Sequence, residues 1–352
     1  MTPVLVRQHL PHAGPVPRAD LGARARDWSE IQERMLVPLY EAVYERLEVG
    51  PRTRLLGLGC GSGLALLMAV SRGAAVTGVE PSSPQRLALA RERLLPGAGE
   101  AHAREDIRLT DRSPEGAAGA KTPAYTLVTA FEPIGCLAGD AEGLVGLLAA
   151  ATPLAERGAP VVLVGWGPPE RCATWDVVRA VAGPDGVARA TGADDPPHAT
   201  GPDGHSPATG LDGHSPATGP VGHSPATGPD GHSPATGLAG PPRATGPDGP
   251  PRGMGRLRPA LRDDLEEAAQ RAGLAPDGSG RVACPFGYAG VDSAVRGLLA
   301  TGLFDAAIAA TDQEQVDKEL TEALHPYRRR DGTVWMPNVF RYLIARTRQG
   351  SR

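Results

Sequence analysis

The chain has 352 residues, a formal net charge of −4 and four cysteines, a length that suits about one or two domains. That charge gives no long-range pull toward nucleic acid or an anionic membrane, and cysteines with no C-x-x-C pair exclude a zinc ribbon or a disulfide scaffold. No apolar run approaches the ~18 residues of a membrane helix, so the expectation is a soluble, cytoplasmic monomer or homodimer without a metal.

In chain order, residues 1–27 are broken by Pro3, Pro11, Pro15 and Pro17 and lack the apolar centre of a signal peptide, which reads as a flexible arm. A helix over 28–47 follows, with Ile31, Met35, Leu39, Val43 and Leu47 on one face. Residues 55–58 form the first strand and run into a turn with glycine at every second position: Gly57, Gly59, Gly61 and Gly63. A helical pattern over 64–70, a second strand over 75–79 and a lone acid, Glu80, complete a βαβ unit. Ser82 or Ser83 then caps a helix with Pro84 in its first turn and Leu87, Ala90 and Leu94 facing inward. Further strands are expected at 106–111, 125–131 and 160–166, the last two apolar enough to be covered on both faces.

Composition changes between residues 190 and 252. Seven nonapeptides follow one another, starting at Ala190, Ala199, Ala208, Ala217, Ala226, Ala235 and Ala244. Large apolar side chains are almost absent, so the segment cannot offset the entropy of ordering its backbone and is expected to be a disordered insertion. A calcium β-roll would need an inward apolar residue in each copy, which these repeats lack. His205, His214, His223 and His232 recur every nine residues and support at most weak chelation.

Beyond the repeats, 261–272 reads as a helix ended by Gly273, and 280–288 as a strand. A helix over 312–324 carries Val316, Leu320 and Leu324 at helical spacing, and 338–346 is the last strand before a tail at 348–352. Arg328, Arg329 and Arg330 run into the turn signal Asp331-Gly332 and read as a solvated loop. Alternating strands and helices give a doubly wound α/β sheet, one domain in two pieces, 28–189 and 253–347.

The glycine turn is built for a nucleoside. Glycines let backbone approach a ligand that any Cβ would push away, and a carboxylate at the tip of the second strand is placed to accept both ribose hydroxyls. The dinucleotide spacing G-x-G-x-x-G fails from each glycine, and no Lys follows to make a phosphate loop. What remains, L-G-x-G-x-G followed by V-T-G-V-E, resembles motif I and the acidic follow-up of class I S-adenosylmethionine-dependent methyltransferases. Gly59, Gly61 and Gly63 match that family's glycines and Glu80 its ribose-binding acid. Gly57 stands where the family usually has an acid that helps anchor the methionine end of the cofactor; restoring an acid there is expected to tighten binding or leave it unchanged.

The resemblance spans about 28–347 outside the repeats. It implies a seven-stranded sheet in the order 3-2-1-4-5-7-6 with the final strand antiparallel, and S-adenosylmethionine as cofactor. Asp111, or else Asp106, matches the acid near the adenine, and Phe131-Glu132-Pro133 falls where the family builds the floor under the methyl group. Residues 165–172 and 286–346 look like a group of actinobacterial-type small-molecule methyltransferases. Cys60 fills the turn as a small side chain, with no His nearby in sequence to activate it.

The implied chemistry is in-line displacement at a sulfonium methyl carbon, with a small molecule as acceptor. His325, at a helix end, and Glu132, at a strand end, are the candidates for general base or orienting acceptor; Trp28 and Trp335 could wall a pocket. Two alternatives stay open: a cofactor-binding protein without catalysis, in a partner or regulatory role, and another nucleoside enzyme such as an aminopropyl transferase.

Overall fold

Apolar strand runs form the centre of a seven-stranded sheet in the computed structural model, which describes residues 20–95, 106–117, 124–186 and 257–347. All of these belong to one compact unit, Met1–Ala190 with Met254–Arg352. The expected arm up to residue 19, the repeats with their histidines, and the tail lie outside the described residues.

The N-terminal helical run consists of α1 (Leu21–Asp27), a π-turn (Trp28–Gln32), a 3-10 turn (Glu33–Leu36) and α2 (Val37–Arg46). There follow β1 (Arg54–Leu58), α3 (Leu64–Ser71), β2 (Ala75–Val79), α4 (Pro84–Leu94), β3 (Ile107–Thr110) and the single turn α5 (Pro114–Ala117). Next come β4 (Leu127–Ile134), α6 (Asp140–Ala151), β5 (Pro160–Trp166) and α7 (Ala173–Gly186). The second piece holds α8 (Asp264–Arg271), β6 (Leu274–Ala283), β7 (Phe286–Tyr288), α9 (Val291–Leu299), α10 (Asp305–Ala310), α11 (Gln313–Ala323), β8 (Val334–Met336) and β9 (Val339–Thr347).

The sheet order is β3-β2-β1-β4-β5-β9-β6. The first five strands are parallel, and β9 lies antiparallel between β5 and β6. Counted within the sheet this is 3-2-1-4-5-7-6, the order the resemblance implied, and the fold is a Rossmann-like, mostly parallel doubly wound sheet. Alternate strand residues serve two cores. Leu55, Val162 and Val164 join α2, α3, α7, α9 and α11 on one face, while Leu56, Val161 and Leu163 join α6 and α8 on the other. Strand order reverses between β1 and β4, so a crevice opens at their carboxyl ends, where open α/β sheets bind ligands. No helix among the described residues is long and apolar enough to cross a membrane.

Three expectations need correction. Helix begins inside the supposed arm, because the Asp20 carboxylate accepts from the N–H groups of Gly22 (2.9 Å) and Ala23 (3.0 Å) and caps α1. The helix expected over 28–47 is not continuous: Pro38 has no N–H to give the Arg34 carbonyl, and the preceding turn tightens to 3-10. The strand expected over 280–288 is two strands in two sheets, split at Cys284-Pro285, with β6 pairing β9 and β7 pairing β8.

Candidate functional site

The turn after β1 is made of left-handed backbone, at Gly59 (φ +60°), Gly61 (φ +57°) and Gly63 (φ +82°), conformations costing about 1–2 kcal/mol for residues with a Cβ. The Cys60 N–H donates to the Val79 carbonyl at 3.1 Å, tying the turn to the end of β2. The glycines do different work. A Cβ on Gly59 would come within 3.3 Å of Glu132 Oε2, and one on Gly61 within 3.2 Å of Glu33 Oε1 and 3.3 Å of Trp28 Nε1. Gly63 instead lets α4 approach, its Cβ position lying 3.0 Å from Ala90 Cβ and 3.1 Å from Leu94 Cδ1.

Gly57 faces Gly78 across the β1–β2 ladder. Leu66 from α3 fills the slot between them, with Cδ2 only 2.9 Å from where a Gly57 Cβ would sit and Cδ1 2.5 Å from that of Gly78. Cys60 Sγ packs into the same slot, 2.9 Å from the Gly78 Cβ position. Burial raises the Cys60 thiol pKa strongly, so it stays protonated and serves as packing.

Glu80 is 1% exposed and grips the turn from below. Oε2 accepts from the Gly61 N–H at 2.9 Å, while Oε1 accepts from the Ser82 N–H at 3.2 Å and from its hydroxyl. A carboxylate offers about four lone-pair sites, so the acceptor capacity left for a ligand is one site on Oε2, not the pair that accepting both ribose hydroxyls needs. Burial, and beyond it the charge of Glu132, raise its pKa above the ordinary carboxylate value.

The opposite wall comes from the N-terminal run. In an unbroken α-helix, residues five apart point about 140° away from each other, at about 100° per residue. The π-turn, with its i→i+5 bonding, narrows that offset, and Trp28, Glu33, Leu36 and Tyr40 all line one cleft. Glu33 is 2% exposed and held in a network: its Oε2 accepts from the Ser62 hydroxyl and from Arg93 Nη1 (2.7 Å), and Arg93 Nη2 reaches Ser29 Oγ (2.8 Å). Arg93 thereby pins the helical run onto the turn. Trp28 Nε1 is buried and has no hydrogen-bond partner among the described residues, while Arg86 stacks on its ring at 4.2 Å.

The cleft opens to solvent between the glycine turn and the N-terminal helical run. Phe131 forms its apolar floor, tilted against Tyr40 with ring centroids 4.8 Å apart. Beyond Ala130 the β4–β5 register shifts, at Pro133, which has no N–H for the ladder. The shift leaves Glu132 exposed at the rim.

Of the residues singled out from the sequence, Gly57, Gly59, Cys60, Gly61, Phe131 and Glu132 line the cleft; Glu80 does not, but accepts from the Gly61 N–H of the turn that does. Gly63 packs against α4. Asp111 is exposed beyond β3 and does not line the cleft. Nor does His325, which lies exposed on the turn after α11. Glu33, Arg86 and Tyr40 line the cleft without having been anticipated. Glu33 was hidden because a polar residue in an amphipathic helix reads as its wet face; Pro38 was the available sign that this turn departs from α geometry. No cluster of three metal-ligating side chains occurs among the described residues.

No protein-family model and no curated protein matches the chain. Among solved structures it is similar to a putative methyltransferase from Bacillus halodurans, at 11% identity over 88% of this chain and 99% of that one, with a TM-score of 0.43. A methyltransferase from Thiobacillus denitrificans in complex with S-adenosyl-L-homocysteine matches at 12% identity over 95% and 100%, TM-score 0.44. An amino pentose methyltransferase from Micromonospora echinaspora matches at 28% identity, over 38% of this chain and 51% of that chain, TM-score 0.28.

Proposed function

We propose that the cleft holds S-adenosylmethionine and that the protein transfers its methyl group to a small-molecule acceptor. The observation that carries this reading is the left-handed glycine turn at the switch point between β1 and β4, gripped by a buried acid at the tip of β2. The residues present fit the group: Gly59 and Gly61 leave open the two positions where a Cβ would crowd the cleft's carboxylates, and Trp28 Nε1 is a buried donor in want of an acceptor. Bound there, the cofactor would supply an electrophilic methyl group for in-line displacement by an oxygen, nitrogen, sulfur or carbon nucleophile.

The chain's own residues would contribute mainly placement, which lowers the barrier of such a displacement more than proton transfer does. Glu80 would accept one ribose hydroxyl through the remaining site on Oε2, and a second only if Ser82 turned away. Phe131 and Tyr40 would exclude water from the floor. Glu132, at the rim, would orient the acceptor or take its proton; among the two candidates for that role, only it reaches the cleft. In this reading residues 28–189 and 253–347 form the catalytic domain of a cytoplasmic protein, and 190–252 are an insertion in it.

Incubating the protein with methyl-labelled S-adenosylmethionine and fractionated small-molecule extracts tests the proposal. Label passing into a low-mass product supports it. Tight binding with no transfer to any fraction would favour a non-catalytic cofactor-binding protein, for which the lack of an acid at Gly57 is the supporting observation.

A further inference from the structure

The cleft lacks the strand acid that would meet an ammonium group, and the reason is steric. Leu66 occupies the space above both Gly57 and Gly78, so a carboxylate entering from β1 would displace a side chain that is 2% exposed. A carboxylate nevertheless reaches the turn from the other side. Glu33 Oε2 is committed to Ser62 and Arg93, whereas Oε1 receives only a long bond, 3.3 Å, from the Leu64 N–H. That second oxygen lies 3.2 Å from the Cβ position of Gly61, and Trp28 Nε1 lies 3.3 Å from the same point. An acceptor of formal negative charge and an unsatisfied donor thus converge on one spot, with the Arg86 guanidinium stacked on the donor's ring.

Resting on the S-adenosylmethionine reading, we propose that Glu33 replaces the missing strand acid: its Oε1 receives the α-ammonium of the cofactor's amino-acid end, while Trp28 Nε1 donates to the α-carboxylate. The two groups are complementary to a zwitterion whose charges sit on one carbon. The arrangement explains why the indole N–H tolerates burial without a partner, since leaving such a donor unsatisfied is costly unless a ligand completes it. It also assigns a purpose to the π-turn, which puts residues 28 and 33 on one face. Arg93 then acts as a positioning residue, holding the Glu33 carboxylate by the oxygen that the ligand does not use.

Three probes separate this proposal from the reading beneath it: S-adenosylhomocysteine, its analogue without the amine, and 5′-methylthioadenosine, which lacks the whole amino-acid end. Calorimetry of the unmodified protein should show the analogue binding about ten- to a hundredfold more weakly than S-adenosylhomocysteine, as loss of a hydrogen bond to a charged group implies. Glu33→Gln should weaken S-adenosylhomocysteine by a similar factor, bring it within about twofold of the amine-free analogue, and leave methylthioadenosine unchanged. Trp28→Phe should weaken S-adenosylhomocysteine and the amine-free analogue alike. Should Glu33→Gln not fold, Glu33→Asp, which withdraws the charge by one methylene, is expected to lose affinity for S-adenosylhomocysteine and keep it for methylthioadenosine. Full retention of S-adenosylhomocysteine affinity in a folded Glu33 variant, or equal binding of the amine-free analogue by the unmodified protein, overturns the assignment. If neither S-adenosylhomocysteine nor methylthioadenosine binds the unmodified protein, the cofactor reading itself fails.

Discussion

Gly57→Asp is the substitution for which resemblance and structure disagree. By resemblance an acid there tightens the cofactor site; by geometry it destabilises the fold. Its Cβ alone would meet Leu66 Cδ2 at 2.9 Å, and Leu66 is a buried side chain whose Cδ1 fills the space over Gly78. Overpacking of this kind costs about 1–3 kcal/mol, partly offset by about 0.4–1 kcal/mol from a stiffer unfolded chain. Gly57→Ala should therefore lose about 1–2 kcal/mol. The aspartate adds a carboxyl among hydrocarbon, raising the total to at least about 3 kcal/mol. In a domain this size that is a fall in Tm of roughly 6–12 °C. Thermal and urea melting of Gly57→Ala, Leu66→Val and the double variant would measure it. The double variant should be more stable than the sum of the singles predicts, by about 0.5 kcal/mol or more, because the shorter side chain relieves the clash. Gly57→Asp melting with the unmodified protein would show that the slot is open and that the steric reasoning is wrong.

Three further outcomes are expected. Glu80→Gln should alter both stability and binding. A carboxyl whose folded pKa lies above its unfolded value contributes stability that is fully present below the unfolded value and lost as pH rises through the folded one. The glutamine variant removes that pH dependence, so its stability should vary less with pH, while its NH2 leaves one N–H of the turn without an acceptor and lowers Tm; it should also bind S-adenosylhomocysteine about 1.5–3 kcal/mol more weakly, and unchanged affinity would remove Glu80 from the site. Gly61→Ala, at φ +57° with its Cβ against Glu33 and Trp28, should cost about 1–2 kcal/mol of stability and block ligand binding, as melting and calorimetry would show. Replacing residues 190–252 by a short flexible linker should leave melting and binding intact, since loop-closure entropy varies only logarithmically with length; a Tm lower by more than about 8 °C, several times what a ~1 kcal/mol effect gives, would contradict that.

A strand buried on both faces and a helix with a serine cap and one apolar stripe were plain in the sequence. β5 matches its apolar run residue for residue, and α4 starts at the expected serine cap, Ser83, which accepts from the Arg86 N–H. β6 was not, because it faces solvent along much of its length and carries Gly278 and Gly280, so neither alternation nor apolar density marks it. α6 and α7 mix Ala and Gly with their leucines and valines, which blurs helical period. Strand order came from the family resemblance; periodicity gave only a doubly wound sheet. In the site, spacing located the glycines and Glu80 but not what they touch. Whether a glycine makes room for the side chains of a cleft, as Gly61 does for Glu33 and Trp28, or for a helix, as Gly63 does, depends on the partner across the gap. The inward turn of Glu33 depends on a π-turn that helical periodicity assumes away.

Everything proposed for the cleft beside the glycine turn rests on its being an S-adenosyl nucleoside site. Parallel calorimetric titration of the unmodified protein with S-adenosylhomocysteine and with NAD decides it. One site per chain is expected for S-adenosylhomocysteine, abolished by Gly61→Ala, with no saturable binding of NAD. Saturable NAD binding, or S-adenosylhomocysteine binding that survives Gly61→Ala undiminished, would contradict it.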